Sequence, residues 1–297
     1  MNSKEKYREL IVMGTVSSGK STFINALLGE PILPAKNQVC TGHNLGIVFD
    51  KFTDSAVLNV RDRDSEYKFK DAIQERIDEY NKRDDCIDME ISYPSKKEWN
   101  NIPVKITDTP GGNACEHQIH REIAKNALQD NEYEILIYIM NAEVLFTDED
   151  RQYLNEIIKK SNNQKIIFVI NKIDEIDSDK ESLQEIIVKS ENYLKQFEIR
   201  QPAIYPCAGK AALILKKVLS GKQLTKDEMR RLSGIYEMFG DGDLKLSSKH
   251  KIPVRLWLKN SIKINGGSYK PRRLYKALIN TGIIEIEKNI CNLLEQI

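Results

Sequence analysis

The stretch GTVSSGKST, at residues 14–22, has the residue types and spacing of a loop that binds phosphate, G-x-x-x-x-G-K-[S/T]. Its two glycines, Gly14 and Gly19, allow the backbone to curl so that successive N–H groups point at phosphate oxygens. Lys20 would reach the β- and γ-phosphates of a nucleotide, and the Ser21 hydroxyl would ligate Mg²⁺. We therefore expect this phosphate loop to bind the nucleotide and its metal ion through Ser17, Ser18, Gly19, Lys20, Ser21 and Thr22.

The same stretch could instead be a turn rich in glycine and serine that holds nothing. Its context argues against that alternative, because YRELIVMG (7–14) predicts a strand directly before it and STFINALLG (21–29) predicts a helix directly after it. The start of a helix adds the positive end of its dipole to such a site. The sequence therefore favours a functional phosphate loop.

A second motif, DTPG at residues 108–111, follows the strand-like run VKITD. Asp108 could hold a water molecule of the Mg²⁺ shell, and the Gly111 N–H could contact the γ-phosphate. Alone this tetrapeptide is a common turn, but after a phosphate loop it indicates the rest of the metal site. Gly112 follows where Ras-type enzymes carry the glutamine that orients the attacking water, so another group must position that water.

The motif NKID, at residues 171–174, follows the apolar run KIIFVI and carries side chains suited to guanine. Asp174 can accept hydrogen bonds from guanine N1–H and from its exocyclic amine, whereas adenine would leave the carboxylate unpaired. Lys172 can lay its aliphatic stem over the base, and Asn171 can tie this loop to the phosphate loop. The expected ligand is therefore GTP or GDP.

A fourth motif, CAGK at residues 207–210, follows the last predicted strand, where GTPases usually carry Ser-Ala-Lys. The backbone N–H of Ala208 is expected to meet guanine O6. Cys207 and Gly209 depart from the usual pattern, so this match is degenerate. Four motifs in the expected order, each at the end of a predicted strand, nevertheless predict a guanine-nucleotide site.

Strands and helices alternate along the chain, which predicts an α/β fold with a mostly parallel central sheet flanked by helices. Residues 45–68 are expected to form two strands around a turn at Asp54-Ser55. Predicted helices include 118–128, the helix that Thr147 and Asp150 begin, and a final helix from about Tyr275 to the end. No linker or internal repeat divides the chain, so one domain over residues 1–297 is expected.

Bulk composition excludes some classes of protein. The 297 residues carry 45 basic and 44 acidic side chains, so no global field would draw the molecule onto nucleic acid or an anionic membrane. The N-terminus is too charged for a secretory signal, and the apolar runs are of strand length. Five scattered cysteines are expected to be reduced thiols. These features predict a cytoplasmic protein that would meet a membrane only peripherally.

The flanks of the motifs resemble the bacterial members of the dynamin superfamily. Lys20 and Asp108 lie 88 positions apart, a spacing much longer than in small Ras-like GTPases, and the insertion carries extra strands and a helix. GTVSSGKSTFINALLGEPILPAKNQVCTG, VKITDTPG, NAEVLFTDEDRQYL, FVINKID and LINTGIIEIEKNICNLL all resemble the GTPase domain of that superfamily. The resemblance covers residues 7 to about 296, and it implies a P-loop GTPase domain with dynamin-type insertions between switch I and switch II.

The resemblance also implies roles for particular residues. Thr41 matches the switch-I threonine, which ligates Mg²⁺ and holds the attacking water by its carbonyl. Ser17 matches a serine that helps to bind K⁺ or Na⁺ between the phosphates when two GTPase domains form a homodimer across their nucleotides. The implied catalytic set is Ser17, Lys20, Thr41 and Gly111, and the implied metal ligands are Ser21, Thr41 and Asp108. Val16 replaces a glutamine that the eukaryotic enzymes often place before that serine, which puts positioning of the water in question.

Dynamin-like proteins join this domain to a helical stalk that acts on membranes, and no such stalk is recognisable here. We expect an excised domain in preference to a chain that leaves membrane work to a partner dynamin-like subunit. One alternative is an Era-like GTPase that acts on RNA or the ribosome, although nucleic acid is the less favoured partner. Another is a nucleotide-gated scaffold that barely hydrolyses GTP, which Val16 makes plausible.

Residues 244–284 contain no acidic side chain and many basic ones. This basic segment, 245–276, could contact RNA or anionic lipid headgroups. Alternatively it is a solvated insertion whose aromatic residues pack on the domain, and such charge runs are usually solvated faces. The second interpretation is favoured by the sequence. The basic residues are Lys245, Lys249, Lys251, Arg255, Lys259, Lys263, Lys270, Arg272, Arg273 and Lys276.

Overall fold

The described residues are built around a central sheet of nine strands. The computed structural model describes residues 7–34, 44–83, 85–94, 102–109, 128, 133–161, 165–176, 181–240, 253, 256 and 260–297. The strands of the sheet are β1 (Arg8–Gly14), β2 (Leu45–Asp50), β3 (Val57–Asp62), β4 (Glu66–Phe69), β5 (Cys86–Pro94), β6 (Val104–Asp108), β7 (Tyr133–Asn141), β8 (Lys165–Asn171) and β9 (Ala203–Cys207).

The strand order is β4-β3-β5-β2-β6-β1-β7-β8-β9. From β6 to β9 all neighbouring strands are parallel, as the buried apolar runs predict, and β2 pairs antiparallel with β6. Because the carboxyl ends of parallel strands meet at one edge of the sheet, Gly14, Asp108, Asn171 and Cys207 come together there. The predicted mostly parallel α/β sheet is confirmed, and this edge holds the candidate site.

The insertion between Lys20 and Asp108 forms one strand more than the sequence suggested. Residues 45–69 contain three strands, β2, β3 and β4, so the prediction of two strands was wrong. The chain reverses after β3 because the Asp62 carboxylate accepts hydrogen bonds from the N–H groups of Asp64 and Ser65. This short turn made by an aspartate side chain gives β4 its place at the edge of the sheet.

Eight α-helices accompany the sheet in the described residues. They are α1 (Lys20–Leu28), α2 (Ile73–Tyr80), α3 (Asp148–Lys160), α4 (Leu183–Lys195), α5 (Gly209–Leu219), α6 (Lys226–Gly240), α7 (Pro271–Asn280) and α8 (Ile283–Glu295). The predicted cap of α3 is present, since the Thr147 hydroxyl accepts from the Asp150 N–H at 3.1 Å. A hairpin of β10 (Ile262–Ile264) and β11 (Gly267–Tyr269) precedes α7. The helix predicted at 118–128 lies outside the described residues except for Leu128.

The carboxyl-terminal helix is broken where the sequence predicted a continuous one. Helix α7 ends at Asn280 and α8 begins at Ile283, because Gly282 takes the left-handed conformation with φ 84°. The break exposes the carbonyl of Thr281, which accepts a hydrogen bond from the Ala208 N–H at 2.9 Å. The continuous helix was therefore a wrong prediction, and its interruption bears directly on the site.

Candidate nucleotide-binding site

The phosphate loop joins β1 to α1 through three residues with positive φ, Gly14 (153°), Ser17 (61°) and Gly19 (88°). A Cβ atom on Gly14 would lie 2.4 Å from the Ile139 carbonyl oxygen, and one on Gly19 would lie 2.4 Å from the Asn171 Nδ2. Both positions therefore require glycine for space as well as for conformation. Ser17 adopts the left-handed conformation and is exposed.

Lys20, the first residue of α1, is folded back into this loop. Its Nζ donates to the carbonyl oxygens of Gly14 and Thr15, each at 3.1 Å, and the residue is buried. The ammonium group is thus held against the backbone that is expected to surround the phosphates. This placement supplies positive charge where a triphosphate would need it.

Ser21 and Asp108 meet where β6 ends beside α1. The Ser21 Oγ donates to Asp108 Oδ2 at 2.8 Å, while the buried Oδ1 finds no hydrogen-bond partner among the described residues. Burial raises the pKa of Asp108 to about 6, although the charge of Lys20 and the hydrogen bond from Ser21 oppose the shift. A buried carboxylate oxygen without a partner is costly, and a hard cation with its bound water would satisfy it. The residues present therefore fit Mg²⁺.

The raised pKa of Asp108 predicts a pH dependence of stability. The folded chain without nucleotide is favoured by a neutral Asp108, so its free energy of unfolding should fall as the pH rises from about 4 through about 6, by on the order of 1–3 kcal/mol. Asp108→Asn should remove this part of the slope, whereas Asn in place of the exposed Asp54 should leave it. Urea denaturation across this pH range measures the difference.

Addition of Mg²⁺ and GDP supplies an independent check on the same carboxylate. A divalent cation favours the charged form of Asp108, so the nucleotide-loaded wild type should lose the Asp108 part of the slope as well. If wild type and Asp108→Asn show the same pH profile without ligand, the placement of Asp108 in a desolvated metal site is wrong.

Asn171, the last residue of β8, connects the phosphate loop to the start of α5. Its Nδ2 donates to the Ser18 carbonyl oxygen and its Oδ1 accepts from the Gly209 N–H, both at 3.0 Å. The side chain is buried, so both bonds are shielded from water. One amide therefore sets the spacing between the loop expected to hold phosphate and the loop expected to hold the base.

A cavity of about 830 Å³ opens beside Gly19 and Thr22 and reaches the carboxyl ends of β8 and β9. Asn171, Lys172 and Asp174 line it. Burial raises the pKa of Asp174, opposed by a backbone hydrogen bond and then by the charges of Arg231, Lys210 and Lys172. A carboxylate that is desolvated in this way is well placed to accept hydrogen bonds from N–H groups of a ligand.

Lys172 is anchored at the wall of this cavity by acidic neighbours. Its Nζ lies 3.0 Å from Glu143 Oε2 and 3.6 Å from Glu175 Oε2, and its backbone adopts φ 65°. With the ammonium group held by these carboxylates, the aliphatic stem is the part left to pack on a flat base. Glu143 was not singled out in the sequence, since it is distant from NKID along the chain.

Ala208 does not present its N–H to this cavity, which corrects the expectation that it meets guanine O6. That N–H donates to the Thr281 carbonyl oxygen, and the next one, of Gly209, donates to Asn171. The first N–H groups of a helix have no acceptor within the helix, and Lys210, in the first turn of α5, lines the cavity, so its N–H is the candidate donor there. In the usual Ser-Ala-Lys pattern the lysine directly follows the alanine, whereas here Gly209 lies between Ala208 and Lys210. This extra glycine was the sequence feature that could have indicated the change of donor.

Two predicted site residues, Thr41 and Gly111, lie outside the described residues, as does Gly112. Within the described ranges, no three histidine, cysteine or acidic side chains are grouped so that they could hold a metal ion. The metal expected at Ser21 and Asp108 would thus take its other ligands from phosphate oxygens, from water or from switch I.

Residues 10–173 of the chain match the family model described as the dynamin family. The chain belongs to the dynamin family. A bacterial dynamin-like protein of Nostoc punctiforme (strain ATCC 29133 / PCC 73102) is 26% identical over 190 residues, which are 59% of this chain and 26% of the relative. An uncharacterized protein in the xynA 3′ region of Caldicellulosiruptor sp. (strain Rt8B.4) is 29% identical over 178 residues, 56% of this chain and 40% of the relative.

The fold of this dynamin-family chain is shared with a solved chain from an oligomerised bacterial dynamin pair. The two superpose with a TM-score of 0.56 at 17% identity, over 82% of this chain and 39% of the solved one. The chain thus spans well under half the length of these relatives. The resemblance to a dynamin-superfamily GTPase domain is confirmed, and the family match contains the phosphate loop and the DTPG motif.

Proposed function

We propose that this chain binds and hydrolyses GTP as the single G domain of a dynamin-like protein, that two copies pair across their nucleotides, and that pairing drives membrane remodelling through elements outside residues 1–297. The observation that carries the proposal is the junction at Asn171. It joins a phosphate loop with Lys20 at its centre to a cavity that contains Asp174.

In this proposal each described side chain has one task. The loop N–H groups and Lys20 bind the phosphates, and Ser21 and Asp108 hold Mg²⁺, which would neutralise charge on the β- and γ-phosphates. Ser21 donates its proton to Asp108 and would still have lone pairs to offer the ion, because a hydroxyl has both a proton and lone pairs. Asp174 selects guanine, and the Lys210 N–H donates a hydrogen bond to guanine O6.

Hydrolysis needs a group that positions water, and neither Val16 nor Gly112 has a side chain that can do so. We assign this role to the Thr41 carbonyl and the Gly111 N–H. Ser17 is exposed, so it can face a second copy of the chain. A K⁺ or Na⁺ ion bound there would offset the charge that develops between the phosphates.

Self-association is the measurable consequence for catalysis. GTP turnover per protein should rise with protein concentration in K⁺, and Ser17→Ala should lower it about tenfold or more while GDP affinity stays within about twofold. Ser233→Ala, which removes an exposed hydroxyl of α6, is the matched control. Turnover that stays flat as concentration rises would contradict pairing.

The membrane role rests on the family and not on an element of this chain. In the described residues no helix combines the length and apolar character needed to cross a bilayer. The solved relative belongs to an oligomerised pair that senses and tethers membranes over long range. By analogy with that protein, we propose that this chain acts in the cytoplasm at the periphery of a membrane, through a stalk or through a partner dynamin-like subunit.

The alternative is a scaffold that binds GTP and barely hydrolyses it. A single-turnover assay with and without K⁺ that shows almost no GTP hydrolysis would identify such a scaffold.

A further inference from the structure

Basic side chains line a second cavity. It shares no lining residue with the cavity that contains Asp174, hereafter the nucleotide cavity. Its volume is about 390 Å³. The structure describes five of the basic residues of the segment 245–276, and four of those five line this one cavity. Most of the described charge of this segment therefore lies around one open cavity. The lining residues are Tyr236, Ser261, Ser268, Lys270, Arg272, Arg273 and Lys276.

The Tyr236 ring lines this basic cavity and packs against a second aromatic ring. The Arg273 guanidinium lies 4.2 Å from the ring centre of Tyr236, which meets Tyr269 edge to face at 5.1 Å. The Tyr236 hydroxyl accepts from the Lys270 N–H at 3.1 Å. Gly240 leaves room for this arrangement, since a Cβ there would lie 2.7 Å from Arg273 Nε. The arginine is therefore held in place before any ligand arrives.

The cations also lie at the wrong end of a helix for stability. Lys270 is the N-cap of α7, and Arg272 and Arg273 are in its first turn, which contains no acidic residue. Helix dipoles disfavour cations at the N-terminus and favour anions there. An anion in the cavity would relieve this repulsion and receive the positive end of the helix as well.

We propose that the basic cavity binds a phosphate monoester group. Guanidinium groups donate in pairs to phosphate oxygens, the lysines add point charges, and Ser261 and Ser268 supply hydroxyl donors. Described lining residues of this cavity include no carboxylate that would repel the anion. The volume suits one phosphate with a small polar body, which can be a lipid headgroup or a soluble ester.

The test uses the full chain with Mg²⁺ and saturating GDP, so that the phosphate loop is filled. One arm measures sedimentation with phosphatidylcholine vesicles that contain phosphatidic acid, against phosphatidylcholine alone. The other arm titrates glycerol phosphate by calorimetry. Lys270→Gln with Arg272→Gln should weaken binding in the responding arm about tenfold or more. Both side chains are exposed and oppose the helix dipole, so the variant should fold at least as stably as wild type.

The matched control is Lys159→Gln with Arg200→Gln, which removes two exposed positive charges that line neither cavity. It should bind within about twofold of wild type. Binding in the phosphatidic acid vesicle arm only identifies the ligand as a lipid headgroup, and binding of glycerol phosphate identifies it as a soluble ester. The proposal is overturned if neither probe binds, or if the control loses as much affinity as the variant. With RNA added as a third ligand, binding of RNA that neither phosphate probe competes with also overturns it.

Discussion

Replacing Asp174 with asparagine should lower the affinity for GDP by about a hundredfold or more and create affinity for xanthosine diphosphate. The carboxylate is desolvated in the nucleotide cavity and is expected to accept two hydrogen bonds from guanine. Hydrogen bonds to a charged group contribute about 1.5–3 kcal/mol each, which accounts for the size of the loss. An asparagine amide instead matches a base that carries a carbonyl in place of the exocyclic amine. Calorimetric titration with both diphosphates measures the exchange.

The control for this exchange is Asp148→Asn, which removes an exposed carboxylate that does not line the cavity. Its affinities for both nucleotides should match wild type. If Asp174→Asn keeps its preference for GDP, or if wild type binds adenine nucleotides equally well, Asp174 does not read the base.

Asn171→Ala should lower the free energy of unfolding by about 2–5 kcal/mol and should also weaken GDP binding. The substitution leaves the Ser18 carbonyl and the Gly209 N–H buried without their partner, at about 1–3 kcal/mol for each group. It also releases the phosphate loop from the start of α5. Urea denaturation gives the stability, and calorimetry of the folded fraction gives the affinity.

Two further variants make this result specific to the junction. Asn171→Asp keeps the acceptor for Gly209 but places a carboxylate against the Ser18 carbonyl, so it should be at least as unstable as the alanine variant. Asn289→Ala removes a half-buried amide that bonds only to Glu285 within α8, and should cost less than about 1 kcal/mol. Equal losses for the alanine variants at 171 and 289 would show that the junction has no special role.

Local sequence determined the parts of the site that depend on a few consecutive residues. Gly14 and Gly19 have positive φ, and a Cβ on either would lie 2.4 Å from a neighbouring atom, the Ile139 carbonyl oxygen or the Asn171 Nδ2. The spacing of the motif predicted both glycine positions directly. The α/β fold was also predictable, because buried parallel strands appear as apolar runs between helical patterns. The prediction of guanine specificity rested on one carboxylate, Asp174, just after one such strand.

Tertiary structure alone decided the features that join distant segments. The Ala208 N–H is turned away by the Thr281 carbonyl, 73 positions along the chain, and the basic residues of α7 converge on Tyr236 of α6. Neither contact produces a recognisable pattern in the sequence. Local patterns express backbone conformation and burial, whereas the partner of a given N–H or charge depends on how separate helices pack.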